Sequence, residues 1–186
     1  MPLFGALLGL FLVSGAASAA LPMAVAAPGI PPFSTEITLT GYNAVAGQTD
    51  SDPLITASGA YANPEVVAAR SRDLAQELPF GTIIEIDGTN ADGTYCGYNA
   101  VSPLIGYRVI ADTMNARIKN HIDVLFSTHS KVSFGKAQVN PANALGACTN
   151  VSIKVVGFVD ITRASHLPET QADLLTILNQ ANLALK

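Results

Sequence analysis

Hydrophobic and polar residues alternate along much of the chain after residue 34, in short runs bounded by turn-forming residues. This period-two pattern is typical of β-strands with one buried face. It predicts strands at residues 37–40, 82–86, 107–111, 122–126 and 151–161. We therefore expect a mainly β fold built from short strands.

Two segments carry helical signals instead. Residues 64–78 predict one short helix. Near the C-terminus an apolar stripe recurs at helical spacing, formed by Leu174, Ile177, Leu178, Ala181 and Leu185. Thr170 is placed to cap this segment, and Asp173 falls in its first turn. We expect an amphipathic helix whose stripe packs on the protein; a partner-binding helix is the rarer alternative.

The first residues form a separate apolar segment. Residues 3–13 are uninterrupted by charge, and small residues follow that end in Ala17-Ser18-Ala19. An apolar core leading into such a site predicts a signal peptide over residues 1–19. The alternative is an uncleaved anchor that runs on toward Ala27, although Pro22 interrupts it. The Pro-rich residues 20–34 predict an extended linker.

Length and composition limit the classes of protein that fit. The chain has 186 residues, 13% of them charged, with a formal net charge of −4 and no run of Lys or Arg. Phosphate binding needs clustered cations, so nucleic acid is not an expected partner. An apolar content of 49% excludes long disorder. We expect one monomeric domain over residues 35–161, a C-terminal helix within residues 162–186, and no membrane contact after signal cleavage.

The two cysteines, Cys96 and Cys148, are expected to form a structural disulfide, because paired cysteines in an exported protein are usually bridged. Closing a loop of this length contributes about 4 kcal/mol in the chain-entropy model. The three histidines are not spaced to complete a zinc site with them. Neither a P-loop nor a dinucleotide fingerprint occurs. We expect no metal and no cofactor.

Two aspartates stand in apolar contexts. Asp112 follows Val109-Ile110-Ala111, and Asp123 lies between Ile122 and Val124. A carboxylate among such neighbours is costly unless it is hydrogen-bonded, paired or functional. Apolar surroundings and a second carboxylate would raise one pKa toward neutrality, as a general acid requires. The alternative is that each aspartate only caps a turn.

Several motifs around these aspartates resemble the three-aspartate (3D) domain, which occurs in membrane-bound lytic transglycosylase A and in the stationary-phase survival proteins of spore-forming bacteria. The central match is Ile110-Ala111-Asp112-Thr113, Ile118-Lys119 and Ile122-Asp123-Val124. Upstream matches are Thr40-Gly41-Tyr42-Asn43, Thr56-Ala57-Ser58-Gly59 and Leu78-Pro79-Phe80-Gly81-Thr82. The resemblance covers residues 37–159. It implies a six-stranded double-psi β-barrel.

The resemblance also implies roles for the three aspartates. Asp123 matches the aspartate regarded as the catalytic acid/base, Asp112 matches the second family aspartate, and Asp73 is the candidate for the first. The chain departs from the family pattern after the second aspartate, where Met114-Asn115 replaces two glycines. Asn120 replaces the glycine that follows the Ile-Lys pair.

The implied activity is that of an exported lytic transglycosylase, located in the periplasm, the cell wall or outside the cell. Such an enzyme cuts the β-1,4 bond between N-acetylmuramic acid and N-acetylglucosamine in peptidoglycan glycan strands, without water. Thr56, Tyr42 and Lys119 are then expected to bind substrate. Three alternatives stay open: a non-catalytic, expansin-like wall-binding module, a structural calcium or magnesium site, and a hydrolase that uses water.

Overall fold

The computed structural model describes residues 33–49, 52–161 and 167–184. The signal peptide predicted over residues 1–19 and most of the predicted linker therefore lie outside the described residues. Leu185, the last member of the predicted apolar stripe, lies outside them as well.

Six strands close into a barrel. In chain order they are β1 (Ser34–Asn43), β2 (Val67–Arg70), β3 (Thr82–Asp87), β4 (Arg108–Thr113), β5 (His121–Phe126) and, after a small hairpin, β8 (Cys148–Phe158). Around the barrel the order is β1-β5-β2-β4-β3-β8. β1 with β5 and β2 with β4 run parallel, and the other neighbours pair antiparallel. The predicted mainly β fold is confirmed as a closed six-stranded barrel.

Smaller elements lie outside the barrel wall. The hairpin consists of β6 (Val132–Phe134) and β7 (Ala137–Val139), and the helices are α1 (Tyr98–Val101), α2 (Pro141–Leu145) and α3 (Gln171–Ala184). Two 3-10 turns span Arg72–Leu74 and Ser102–Leu104. Asn140 caps α2 because its side-chain oxygen accepts the Ala142 N–H at 3.0 Å.

All five predicted strand regions are confirmed, as β1, β3, β4, β5 and β8. The helix predicted over residues 64–78 is wrong: that segment forms β2 and a 3-10 turn. Its Val-Ala-Ala-Arg sequence has fair helix propensity, but all four residues are buried between β4 and β5. Tertiary pairing therefore overrides local preference. The β6–β7 hairpin was not predicted.

The alternation of side chains along the strands divides the core into two apolar clusters. On β4, Val109 and Ala111 belong to one cluster, while Ile110 belongs to the other. Both faces of this strand are therefore covered. The sequence of a strand buried on both faces is a continuous apolar run, without alternation.

The C-terminal helix α3 packs as its stripe predicted. Leu174, Ile177 and Leu178 are buried, and a Cβ added to Gly157 of β8 would lie 2.6 Å from Leu178 Cδ2. Thr170 caps the helix, since its hydroxyl oxygen accepts the Asp173 N–H at 3.2 Å. Across the described ranges, none of the helices combines the length and apolar character that crossing a bilayer requires.

The predicted disulfide between Cys96 and Cys148 is confirmed. It ties the segment before α1 to the first residue of β8, across a sequence separation of 52 residues. A disulfide of this kind is consistent with an exported protein.

Candidate active site

A cleft of about 520 Å³ opens at the barrel wall. Four barrel strands supply side chains to it: Tyr42 from β1, Ala69 from β2, Asp112 and Thr113 from β4, and Asp123 from β5. The two aspartates singled out by their apolar contexts therefore meet in one cavity, although they stand on different strands. They are neighbours there because β2, which separates β4 from β5, presents only the small Ala69 to the cleft.

Asp123 is a half-buried acid in the middle of the sheet. It pairs with Thr40 of β1 on one side and with Ala69 of β2 on the other. The Thr40 hydroxyl donates to Asp123 Oδ1 at 3.0 Å. Burial raises the pKa of Asp123 from its usual 3.8 to about 7; the Thr40 hydrogen bond acts against that shift, and the charge of Asp112 adds to it. A carboxyl group of this kind exchanges its proton near neutral pH.

Asp112 lies in a different environment, surrounded by hydrogen-bond donors. Its Oδ2 accepts the Tyr42 hydroxyl at 3.0 Å, and its Oδ1 accepts the backbone N–H groups of Ala57 at 2.9 Å and Thr113 at 2.8 Å. Donors alone suit an ionised carboxylate, which only accepts hydrogen bonds. The two cleft carboxyl groups are therefore equipped for different tasks.

The Tyr42 hydroxyl is hydrogen-bonded to Asp112. Its side chain is only 7% exposed. Burial raises the pKa of Tyr42 far above its usual value, and the charge of Asp112 raises it further. The phenol therefore stays protonated and remains a donor. Sequence reasoning expected Tyr42 to bind substrate, but the structure places its hydroxyl on Asp112.

Asp73 does not join the other two aspartates. It is exposed in the 3-10 turn after β2 and is not among the described residues that line the cleft. Its Oδ2 accepts the Asn120 N–H at 3.0 Å. Desolvation acts to raise the pKa of Asp73, but hydrogen bonds from Ser71 and Asn120 hold that pKa below its usual value. Asp73 thus anchors the end of the loop that connects β4 to β5.

Asn120 is the loop residue to which Asp73 is hydrogen-bonded. Its φ of +49° lies in the left-handed region, which Asn tolerates better than other residues with a side chain. Its side-chain Nδ2 also donates to the Glu36 carbonyl at 3.1 Å. The Asn120 carbonyl also accepts the Thr38 N–H at 3.0 Å, and these hydrogen bonds hold the loop immediately before β5 and its Asp123.

Neither Thr56 nor Lys119 lines the cleft among the described residues. Thr56 is buried, and its hydroxyl donates to the Ala60 carbonyl at 3.1 Å. It stabilises the loop whose next residue, Ala57, donates its N–H to Asp112. Lys119 is exposed on the β4–β5 loop, and its charge helps to lower the pKa of Asp73.

Several cleft residues were missed from the sequence. Arg72, Met114 and Asn115 line the cleft. At its edge, Ile55 is bridged to Tyr61, whose side chain is 61% exposed and offers a flat apolar face. These residues lie in turns and loops, where no periodic pattern marks them.

No protein-family model matches this chain, and no curated protein matches it. Within the described residues, no three His, Cys, Asp or Glu side chains come together in a way that could hold a metal ion. What the cleft offers is a carboxyl group that titrates near neutrality beside a carboxylate held by three donors. This arrangement suits proton transfer to and from a bound substrate.

Proposed function

We propose that this protein is a lytic transglycosylase of peptidoglycan, related to the three-aspartate domain proteins. The observation that carries the proposal is the meeting of Asp112 and Asp123 in one cleft, with the pKa of Asp123 raised to about 7. A carboxyl group that retains its proton near neutral pH is what protonation of a glycosidic oxygen requires.

The barrel supports this relationship. We propose that its topology is the double-psi arrangement, on the ground that two parallel pairs, β1 with β5 and β2 with β4, stand in an otherwise antiparallel six-stranded barrel. Asn120 adds local support. It occupies the position at which the three-aspartate pattern has glycine, and its backbone adopts a positive φ, the conformation that glycine adopts most easily.

In the proposed mechanism Asp123 acts twice. Its protonated form donates to the glycosidic oxygen, and the bond from that oxygen to the muramyl C1 breaks. The Asp123 carboxylate then takes the proton of the muramyl 6-hydroxyl, whose oxygen attacks C1 and closes a 1,6-anhydro ring. Since one residue is both acid and base, no second carboxylate is needed at the separations that hydrolases use.

Asp112 supports this cycle as a neighbouring charge. Its charge raises the pKa of Asp123, so it favours the protonated form from which the cycle starts. Tyr42, Ala57 and Thr113 hold it in place through the three hydrogen bonds. The disulfide supports the proposal, since it suits an oxidising compartment and peptidoglycan lies outside the cytoplasm.

The test is to incubate the purified protein with peptidoglycan and to determine the masses of the released fragments. We expect 1,6-anhydro muropeptides from the parental chain and none from Asp123→Asn, which keeps the size of the side chain and loses its ionisable group. The matched control is Glu85→Gln, an exposed acid-to-amide change on β3 outside the cleft.

Other outcomes would contradict the proposal. Fragments with ordinary reducing ends would indicate a hydrolase that uses water. Binding to peptidoglycan without release of fragments would indicate an expansin-like wall-binding module on the same barrel. Release by Asp123→Asn at the parental rate would remove Asp123 from the mechanism.

A further inference from the structure

Arg72 is a cation of the cleft for which the described part of the chain supplies no side-chain partner. Arg72 lines the same cavity as Asp112 and Asp123, is exposed, and forms no side-chain hydrogen bond or ion pair with any residue in the described ranges. The buried arginines differ: Arg70 donates to the Leu78 carbonyl at 2.6 Å, and Arg108 donates to several backbone carbonyls. Arg72 is thus a guanidinium whose donors are available within the cleft.

The backbone on either side of Arg72 is fixed. Ser71 donates its N–H to the His121 carbonyl at 2.9 Å and accepts the His121 N–H on its hydroxyl oxygen at 3.0 Å. On the other side, Asp73 accepts the Asn120 N–H at 3.0 Å. Both neighbours are therefore tied to the start of β5, the strand that carries the acid. The backbone from which the Arg72 side chain extends is therefore held against the start of β5.

The guanidinium of Arg72 indicates an anionic ligand. Arginine presents planar, paired donors that match a carboxylate, and such charge-assisted bonds are stronger than bonds between neutral groups. The carboxylates of the cleft do not occupy it, since Asp112 is held by Tyr42, Ala57 and Thr113, and Asp123 accepts from Thr40. Among the described residues no carboxylate pairs with Arg72, which leaves the substrate as a source of the anion.

We propose that Arg72 forms a subsite for a carboxylate carried by the glycan next to the scissile bond. This inference rests on the proposed function. In a glycan with muramyl residues, the carboxylate belongs either to a free lactyl group or to a peptide attached to it. The protein therefore prefers acidic muramyl glycans to neutral oligomers of N-acetylglucosamine.

Calorimetric titration of the full chain tests this subsite, with Asp123→Asn present throughout so that no product forms. Three probes of equal sugar number are used: a peptide-free muramyl glycan, its peptide-bearing form, and a neutral N-acetylglucosamine oligomer. We expect Arg72→Gln to weaken binding of an acidic probe about 10-fold. We expect it to change binding of the neutral probe less than about 2-fold. The matched control is Arg117→Gln, an exposed arginine outside the cleft lining.

The outcomes separate the two proposals. Loss of affinity for the peptide-free probe assigns the subsite to the lactyl carboxylate, and loss confined to the peptide-bearing probe assigns it to the peptide. Partial retention by Arg72→Lys supports either assignment. The subsite is wrong, while the glycan proposal stands, if the Asp123→Asn protein with Arg72 intact binds acidic and neutral probes equally. The same conclusion follows if Arg72→Gln in that protein keeps the preference for acidic probes. If no probe binds, the proposed function fails and the subsite fails with it.

Discussion

Thr40 and Asp123 are direct register partners in the parallel pair β1–β5, and the Thr40 hydroxyl donates to Asp123 Oδ1 at 3.0 Å. Two positions further along β1, Tyr42 donates to Asp112. Alternate residues of one strand share a face, so a single strand presents one donor to each cleft carboxyl group. The hydrogen bond from Thr40 lowers the pKa of Asp123, while burial and Asp112 raise it. Thr40 therefore helps to set the pKa of Asp123.

The proposed mechanism predicts a pH dependence of glycan cleavage. Asp123 would have to start protonated, and its pKa is about 7, so we expect the rate to fall as pH rises through about 7. Thr40→Val keeps the shape of the side chain and removes the hydroxyl donor, so the pKa rises and the alkaline limb moves to higher pH. Rate profiles of the two proteins measure this. A limb that stays in place, or moves to lower pH, would contradict the assignment of Asp123 as the acid.

Asp123 also makes stability depend on pH. Its folded pKa, about 7, lies above the value near 4 of an unfolded chain. Between these values the unfolded state has released the proton and the folded state has not, so the free energy of unfolding falls as pH rises. We expect Asp123→Asn to be more stable than the parental chain above pH 7, by about 1–3 kcal/mol after allowance for solvent screening. The difference should shrink toward about pH 4 in urea unfolding.

Asp73→Asn is a control for which we expect the opposite change in stability. The pKa of Asp73 is held below its usual value, so its stabilising contribution is present above the unfolded pKa and is lost as pH falls. The amide variant should therefore be less stable than the parental chain at neutral pH. Identical pH profiles of stability for the two variants would show that the pKa values of Asp73 and Asp123 are not shifted in opposite directions.

Tyr42→Phe tests the positioning of Asp112. The change deletes the donor to Asp112 Oδ2 and leaves the two backbone donors in place. We expect a stability cost of about 1 kcal/mol and a fall in kcat of about 10-fold, with KM little changed. Steady-state kinetics and urea unfolding measure the two effects. A rise in KM at unchanged kcat would instead assign the Tyr42 hydroxyl to substrate binding.

Asn120 offers a test of backbone strain at the loop before β5. Both Asn120→Gly and Asn120→Ala lose the hydrogen bond to the Glu36 carbonyl, but only alanine is strained at a φ of +49°. We expect the alanine variant to be less stable than the glycine variant by about 1 kcal/mol. Equal free energies of unfolding would show that the loop adopts another conformation in solution.

Much of the barrel was predictable, because strand formation follows a local pattern. The alternation of residues 37–40 and 151–161 identified β1 and β8, and the apolar stripe of α3 identified its buried face. The segment that forms β2 was misjudged, since its four residues show no alternation and become a strand only between two neighbours. Pairing partners are not encoded within a short window.

The candidate site was also predictable only in part. The apolar context of Asp112 and Asp123 was visible in the sequence, and the cleft brings the two together. Asp73 was grouped with them on a motif, but it anchors the loop to Asn120 instead. Arg72 carried no signal in the sequence, because neither its place in the cleft nor its lack of a side-chain partner among the described residues depends on its sequence neighbours.

By itself the sequence determined what short-range physics controls: which segments alternate, which residues cap a helix, and which acids sit among apolar neighbours. The tertiary structure alone decided which side chains meet. Thr40 and Asp123 are 83 positions apart, and Tyr42 and Asp112 are 70 apart. Those contacts exist because the strand order β1-β5-β2-β4 places β1 beside β5 and brings β4 within two strands of them, and that order and register are properties of the whole sheet.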